Sequence, residues 1–128
     1  MRYLLDTHAF LWLAIDDGRL PARVRAIYQD LEHDCFVSTA SIWEMAIKAN
    51  LGKLTLGTTL AQLVQGGVER GLRLLDVRPQ HAYVVQTLPF HHRDPFDRML
   101  VAQAMHESLH VLSRDEALDA YPLTRVWA

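Results

Sequence analysis

The sequence predicts an α/β fold, a three-layer α/β/α arrangement around a mostly parallel central sheet. Three observations lead there. Short apolar runs recur along the chain at Tyr3–Leu5, Cys35–Ser38, Leu72–Val77, His110–Leu112 and Thr124–Trp127. Stretches of helical periodicity separate nearly all of them. With 128 residues, 50% hydrophobic and 22% charged, the chain is sized for one domain, 1–128, that carries its own core.

Tyr3–Leu5 is the first strand, followed by an amphipathic helix from about His8 to Ile15. Pro21 opens a second helix as its first residue, with Val24, Ile27, Tyr28 and Leu31 on one face. Cys35–Ser38 is the second strand. The next helix runs from about Ile42 to Ala49 and ends near Gly52. Leu60–Arg70 is helical, weakened at Gly66-Gly67 and stopped by Gly71. Leu72–Val77 is the third strand, and Pro79 opens a helix that reaches Thr87. Pro95–Glu107 carries a strong helical pattern, with Phe96, Met99, Leu100, Gln103 and Ala104 on its buried face. His110–Leu112 and Thr124–Trp127 complete the sheet. The longest loops, Leu51–Thr59 and Thr87–Pro95, are short enough for a single domain.

Composition narrows the function. A net charge of −2 gives no global positive field for nucleic acid. Of the 13 basic residues, however, only Lys48 and Lys53 are lysines, and the planar fork of arginine suits phosphate. The single cysteine, Cys35, rules out an internal disulfide framework and points to a reducing, cytoplasmic setting. In its apolar strand it reads as a small buried hydrophobe, not a nucleophile. Asp6 and His8 interrupt the apolar start, so it is not read as a signal peptide, and no run approaches the ~18 apolar residues of a membrane span. A soluble protein without membrane association is expected.

Ligands of open α/β sheets bind beyond the carboxyl ends of the strands. Asp6 follows the first strand, Glu44 the second and Asp115 the fourth, while Asp97 lies in the first turn of the long helix. Converging carboxylates repel one another, and a hard divalent cation, Mg²⁺ or Mn²⁺, relieves that repulsion. Such a site cleaves phosphodiesters by activating water, orienting the phosphate and stabilising the departing oxygen. Each acid also has a simpler reading as a helix cap. Ser41–Glu44 and Ser113–Glu116 fit capping boxes, Asp94-Pro95-Phe96-Asp97 fits an N-cap with a first-turn acid, and Asp6 can cap the first helix. An inert binding module whose acids are caps is therefore the main alternative. A phosphatase or DNA-directed nuclease with the same acids is another, because carboxylates on a metal do not read the 2′-hydroxyl.

Longer motifs favour the nuclease. Leu4-Leu5-Asp6-Thr7-His8 with Leu11-Trp12 resembles the start of PIN-domain proteins of the VapC toxin type. The stretch Ser38–Glu44 with Lys48 and Gly52-Lys53-Leu54 resembles that family's second motif. His92–Ala104, containing Asp94-Pro95-Phe96-Asp97-Arg98-Met99-Leu100, resembles the third, and Ser113-Arg114-Asp115 the fourth. The resemblance covers essentially the whole chain, with His8 where many members have asparagine. It implies that Asp6, Glu44, Asp97 and Asp115 bind Mg²⁺ or Mn²⁺, with Asp94 a cap. It further implies an endoribonuclease toxin of a type II toxin–antitoxin pair, a homodimer, and a cognate VapB-like antitoxin that covers the site.

Thr7 and Ser113 are expected to hydrogen-bond the acids. Arg93, Arg98 and Arg114 are candidates for RNA phosphates, with an Arg98–Asp94 helix-surface pair as the plainer role for Arg98. Trp12 and Trp43 read as core residues, and His91-His92 as a solvated doublet. His106-Glu107-Ser108-Leu109-His110 spells the H-E-x-x-H zinc-peptidase string, but His110 reads as the start of a strand. The helix should then end between the two histidines, which argues against a peptidase.

Overall fold

A computed structural model describes residues Met1–Ala128. Along the first strand, β1 (Arg2–Leu5), alternate side chains enter two separate cores. Tyr3 and Leu5 join a cluster with α1 (Thr7–Ala14), α2 (Ala22–Gln29), α3 (Thr39–Asn50) and α4 (Leu60–Glu69). Leu4 points to the opposite face, packed with α5 (Pro79–Thr87) and α6 (Pro95–Glu107). The remaining strands are β2 (Asp34–Ser38), β3 (Arg73–Leu75), β4 (His110–Leu112) and β5 (Arg125–Val126). They form one sheet in the order β3-β2-β1-β4-β5. Every neighbouring pair is parallel, so the three-layer α/β/α fold is the one the sequence predicts.

The strand order reverses at β1, which has β2 on one side and β4 on the other. That reversal opens a crevice at the carboxyl ends of β1 and β4. The β1–β4 register pairs Leu5 with Leu112, and the Asp6 amide extends the ladder by donating to the Leu112 carbonyl at 3.1 Å.

Several elements differ from the sequence reading. α3 begins at Thr39, because the Ser38 hydroxyl accepts from the Ala40 amide and caps it. Ser41 and Glu44 therefore lie inside the helix and form no capping box. Pro21 is the N-cap of α2 and not its first residue, and Leu31 lies past the end of that helix, 98% exposed. α4 runs unbroken through Gly66-Gly67. A β-carbon on Gly67 would sit 3.1 Å from Leu72 Cδ2, so the glycine lets α4 close onto the core. Trp12 is buried as expected, but Trp43 is 64% exposed. The face of α3 that carries Ala40, Ser41, Glu44 and Met45 turns inward, leaving the indole edge-on to Phe96 at a 5.2 Å ring separation.

Arg98 is neither a phosphate contact nor a partner of Asp94, because it is buried. Its guanidinium donates to the carbonyls of Pro89 (3.0 Å), Leu88 (3.2 Å), Val85 (3.3 Å) and His92 (3.3 Å), and lies over the Phe90 ring at 4.2 Å. One side chain thus satisfies the end of α5 and the loop that follows it. Replacing it by Met leaves those carbonyls without a donor, so Arg98→Met is expected to lose about 2–4 kcal/mol of stability. The check is the urea midpoint at unchanged m-value. A loss below about 0.5 kcal/mol, the range of ordinary surface substitutions, would show that the loop does not depend on this clamp.

Candidate active site

Local chemistry first fixes where each acid stands. Asp6 leaves β1 and caps α1, its Oδ1 accepting from the Ala9 amide at 2.8 Å. Ser113, fully buried after β4, accepts from the Asp115 amide at 3.0 Å, and its hydroxyl neighbours the Asp6 carboxylate. Burial pushes the Asp6 carboxyl up, while Ser113, the Ala9 amide and His8 pull it down. Asp115 caps the 3-10 turn Glu116–Ala120 through Oδ1, which accepts from the Ala117 amide at 3.0 Å. The Ser113–Glu116 capping box is therefore not the one formed.

Asp94 caps α6, its Oδ1 accepting from the amides of Phe96 (2.7 Å) and Asp97 (3.2 Å). Asp97, in the first turn of α6, receives no hydrogen bond from any side chain or amide of the protein. Burial, reinforced by the carboxylates of Asp94, Glu44 and Asp115 and opposed by His92, pushes it up to about 6. Glu44 is buried on α3, with Thr7 donating to Oε1 at 2.6 Å and Lys48 Nζ 2.7 Å from Oε2. The Glu44 hydrogen bond in turn raises the Lys48 ammonium. Thr7 thus reaches the Glu44 carboxylate, and Ser113 meets the Asp115 amide.

Asp6, Asp97 and Asp115 line one cleft of about 550 Å³, together with Ser113, Arg114 and His8. Glu44 stands behind it, its carboxylate engaged by Thr7 and Lys48. Arg93 is exposed at the start of the loop's final turn into α6, and Arg114 is exposed at the cleft with its guanidinium 5.2 Å from the Trp12 ring.

The sequence reading missed His92. Its side chain is 8% exposed, not solvated, and Nε2 lies 2.6 Å from Asp115 Oδ2. Ligand atoms of His92, Asp97 and Asp115 all lie within 4.8 Å of one another. Only its place just before the Arg93–Asp97 string marked it, because the fold-back of its loop depends on Arg98 and on Tyr121, 29 residues away. His91, its neighbour, is exposed and meets the Tyr121 ring edge-on at 4.9 Å.

Two donors of this set are hard carboxylate oxygens, and the Asp97 carboxyl is uncompensated. That chemistry fits a divalent cation of the Mg²⁺ or Mn²⁺ kind. The zinc-peptidase string does not form a site. α6 ends at Glu107, Ser108 turns left-handed at φ 56°, and His110 belongs to β4. Glu107 instead accepts from buried His81 at 2.9 Å. Cys35 is buried, its thiol pushed up to about 11 by burial, so it is a poor nucleophile.

The PIN domain family model matches residues 3–122. Comparison with curated protein sequences gives no significant match. Among solved structures, VapBC2 of Rickettsia felis bound to a promoter DNA fragment superposes with a TM-score of 0.75 at 12% identity over 100% of both chains. DNA-bound VapBC of Salmonella typhimurium gives 0.72 at 18% identity, covering 98% of this chain and 97% of that one. The sarcin-ricin loop cleaving toxin VapC20 of Mycobacterium tuberculosis gives 0.65 at 12% identity, covering 98% and 99%. These likenesses are of fold.

The displaced Asp97 carboxyl has a stability consequence. In the folded state its proton leaves at about 6, and in the unfolded chain near the ordinary 3.8. Between those values the folded state holds more protons, so the ionised group destabilises the fold fully above 6 and not at all below 3.8. With EDTA present, Asp97→Asn is expected to raise Tm at pH 8, and the gain should fade as pH falls from 6 toward 4. A variant equal to or less stable than the parent at pH 8 would show that ionised Asp97 carries no such burden.

Proposed function

Because the chain belongs to the PIN domain family, we propose that it is a metal-dependent endoribonuclease, a hydrolase that cleaves RNA phosphodiester bonds with water. The same reading makes it the toxin of a type II toxin–antitoxin pair, acting as a single cytoplasmic nuclease domain over 1–128. The observation that carries it is the half-buried Asp97 carboxylate, without a hydrogen-bond donor and beside Asp115, at the sheet's switch point. An inert module whose acids serve only the helices accounts for Asp6, Asp94 and Asp115 as caps and for Glu44 as the partner of Lys48, but it gives no reason for a half-buried Asp97 carboxylate with no donor among three other acids.

In this reading Asp6, Glu44, Asp97 and Asp115 form the acidic site for Mg²⁺ or Mn²⁺. Asp97 and Asp115 present ligand oxygens directly. Asp6 is steadied by Ser113 and the Ala9 amide, and Glu44 by Thr7 and Lys48. When bound, the cation supplies Lewis acidity to the phosphate and lowers the pKa of water. One of the carboxylates orients the attacking water for in-line displacement, with the 3′ oxygen leaving and a 5′-phosphate formed. Arg93 and Arg114, both exposed, hold flanking phosphates. The name of the VapC20 structure, a sarcin-ricin loop cleaving toxin, supports RNA as substrate. The VapBC complexes support a VapB-like antitoxin partner, and the homodimer is carried over from the family resemblance alone.

Purified, antitoxin-free chain should cleave cellular RNA in Mg²⁺ or Mn²⁺, stop in EDTA, and leave 5′-phosphate ends. Asp97→Asn should lower the rate at least about a hundredfold, since even groups that merely support metal ligands cost 10–100-fold. Ends bearing 2′,3′-cyclic phosphate would refute attack by water. Activity unchanged in the variant would remove Asp97 from the site, and cleavage of DNA but not RNA would reassign the substrate.

A further inference from the structure

We propose that His92 is a nitrogen ligand of the divalent cation, forming a set of one imidazole and two carboxylates with Asp97 and Asp115, and that this nitrogen biases the site toward Mn²⁺ over Mg²⁺. The proposal deepens the metal-dependent reading and rests on it. His92 Nε2 is 2.6 Å from Asp115 Oδ2, and a ring nitrogen of His92 lies within 4.8 Å of an Asp97 oxygen. The ring is not free to leave. It stacks on Tyr121 at 5.6 Å with a 23° interplanar angle, its amide donates to the Tyr121 hydroxyl at 3.1 Å, and its carbonyl is held by Arg98.

The hydrogen bonds behind the ring suit a ligand. His92 Nδ1 lies 3.2 Å from the Tyr121 hydroxyl, which also reaches the Pro89 carbonyl at 3.4 Å. With a proton on Nε2 facing Asp115, the hydroxyl donates to Nδ1. With Nε2 committed to a cation, the proton sits on Nδ1 and donates to Tyr121, whose own hydrogen turns to Pro89. Metal-bound histidines regularly donate their second ring N–H in this way. One hydroxyl therefore serves both tautomers. Both ions favour oxygen, but Mn²⁺, a first-row transition ion, accepts an imidazole nitrogen more readily than Mg²⁺ does.

The test is Mn²⁺ binding by the metal-free full chain, followed by EPR, with pulsed EPR to detect ¹⁴N coupling. Because His8 lines the same cleft, it needs its own control. Imidazole coupling is expected in the parent and in His8→Gln, and should vanish in His92→Gln. The Mn²⁺ affinity should fall at least about tenfold in His92→Gln, while the Mg²⁺ affinity measured by competition should change less than about threefold. Tyr121→Phe should keep the coupling and bind Mn²⁺ more weakly. Should His92→Gln fail to fold by circular dichroism, the parent, His8→Gln and Tyr121→Phe still decide. Binding that depends on Asp97 but shows no nitrogen coupling, or coupling lost in His8→Gln, overturns the proposal while sparing the metal reading. No Asp97-dependent Mn²⁺ binding in the parent overturns both.

Discussion

The site depends on β4 pairing in parallel beside β1. Once that register is set, Asp6 and Ser113 must emerge side by side, because Leu5 and Leu112 are the last paired residues before them. Apolar packing enforces the register. Leu4 and Val111 face one core, Leu5 and Leu112 the other, and all four are essentially inaccessible to solvent. A one-residue slip would exchange these side chains between two cores of different shape, each misfit costing about 1–3 kcal/mol. It would also draw Asp6 into the strand. Repulsion among carboxylates at the crevice opposes this register, but it acts against misfits summed over four buried side chains. The cores can therefore hold acids together that would otherwise separate.

Capping and the proposed metal binding share the work among these carboxylates. Asp6 and Asp115 both cap through Oδ1, and for Asp115 the other oxygen meets His92. A cap locks a carboxylate to the helix that follows its strand, so the acid is positioned before any ligand arrives. Asp94 and Asp97 split the same tasks between two residues. Asp94 takes the amides at the start of α6, including that of Asp97. Asp97 is thereby left without a donor of its own, and burial and neighbouring charge raise its carboxyl.

What the sequence made legible was local and periodic. All five strands and six helices follow from runs and punctuation within a dozen residues, and the acids follow from their places at the ends of those elements. The misses required knowledge of partners distant in sequence or of a single hydrogen bond. Ser38 starts α3 three residues before Ile42 because its hydroxyl reaches the Ala40 amide. That earlier start takes Ser41–Glu44 out of the cap. Trp43 looked like core because an indole on an apolar helix usually is, yet the inward face of α3 is set by Met45 and Glu44 against the sheet. Gly67 looked like a weakness, and its lack of a side chain is what admits Leu72.

His92 and Arg98 show how the third motif unites structure and chemistry in one short string. Arg98 is buried without a carboxylate partner, and its positive charge is spread over four carbonyl dipoles. Such a charge is stable only if those carbonyls stay in place, so the guanidinium and the 85–92 segment order each other. Because His92 lies at the end of that segment, its imidazole inherits the clamp's precision while touching a different residue, Asp115. Lysine, a compact point charge with three donors, could not hold the same four acceptors in a plane-directed fork. The Asp94–Arg98 run thus contains a cap, a first-turn proline, a half-buried acid and a loop clamp, each imposing a different residue type. That is why five consecutive residues identify this part of the chain so sharply, whereas the Asp-Thr pair after β1 does not.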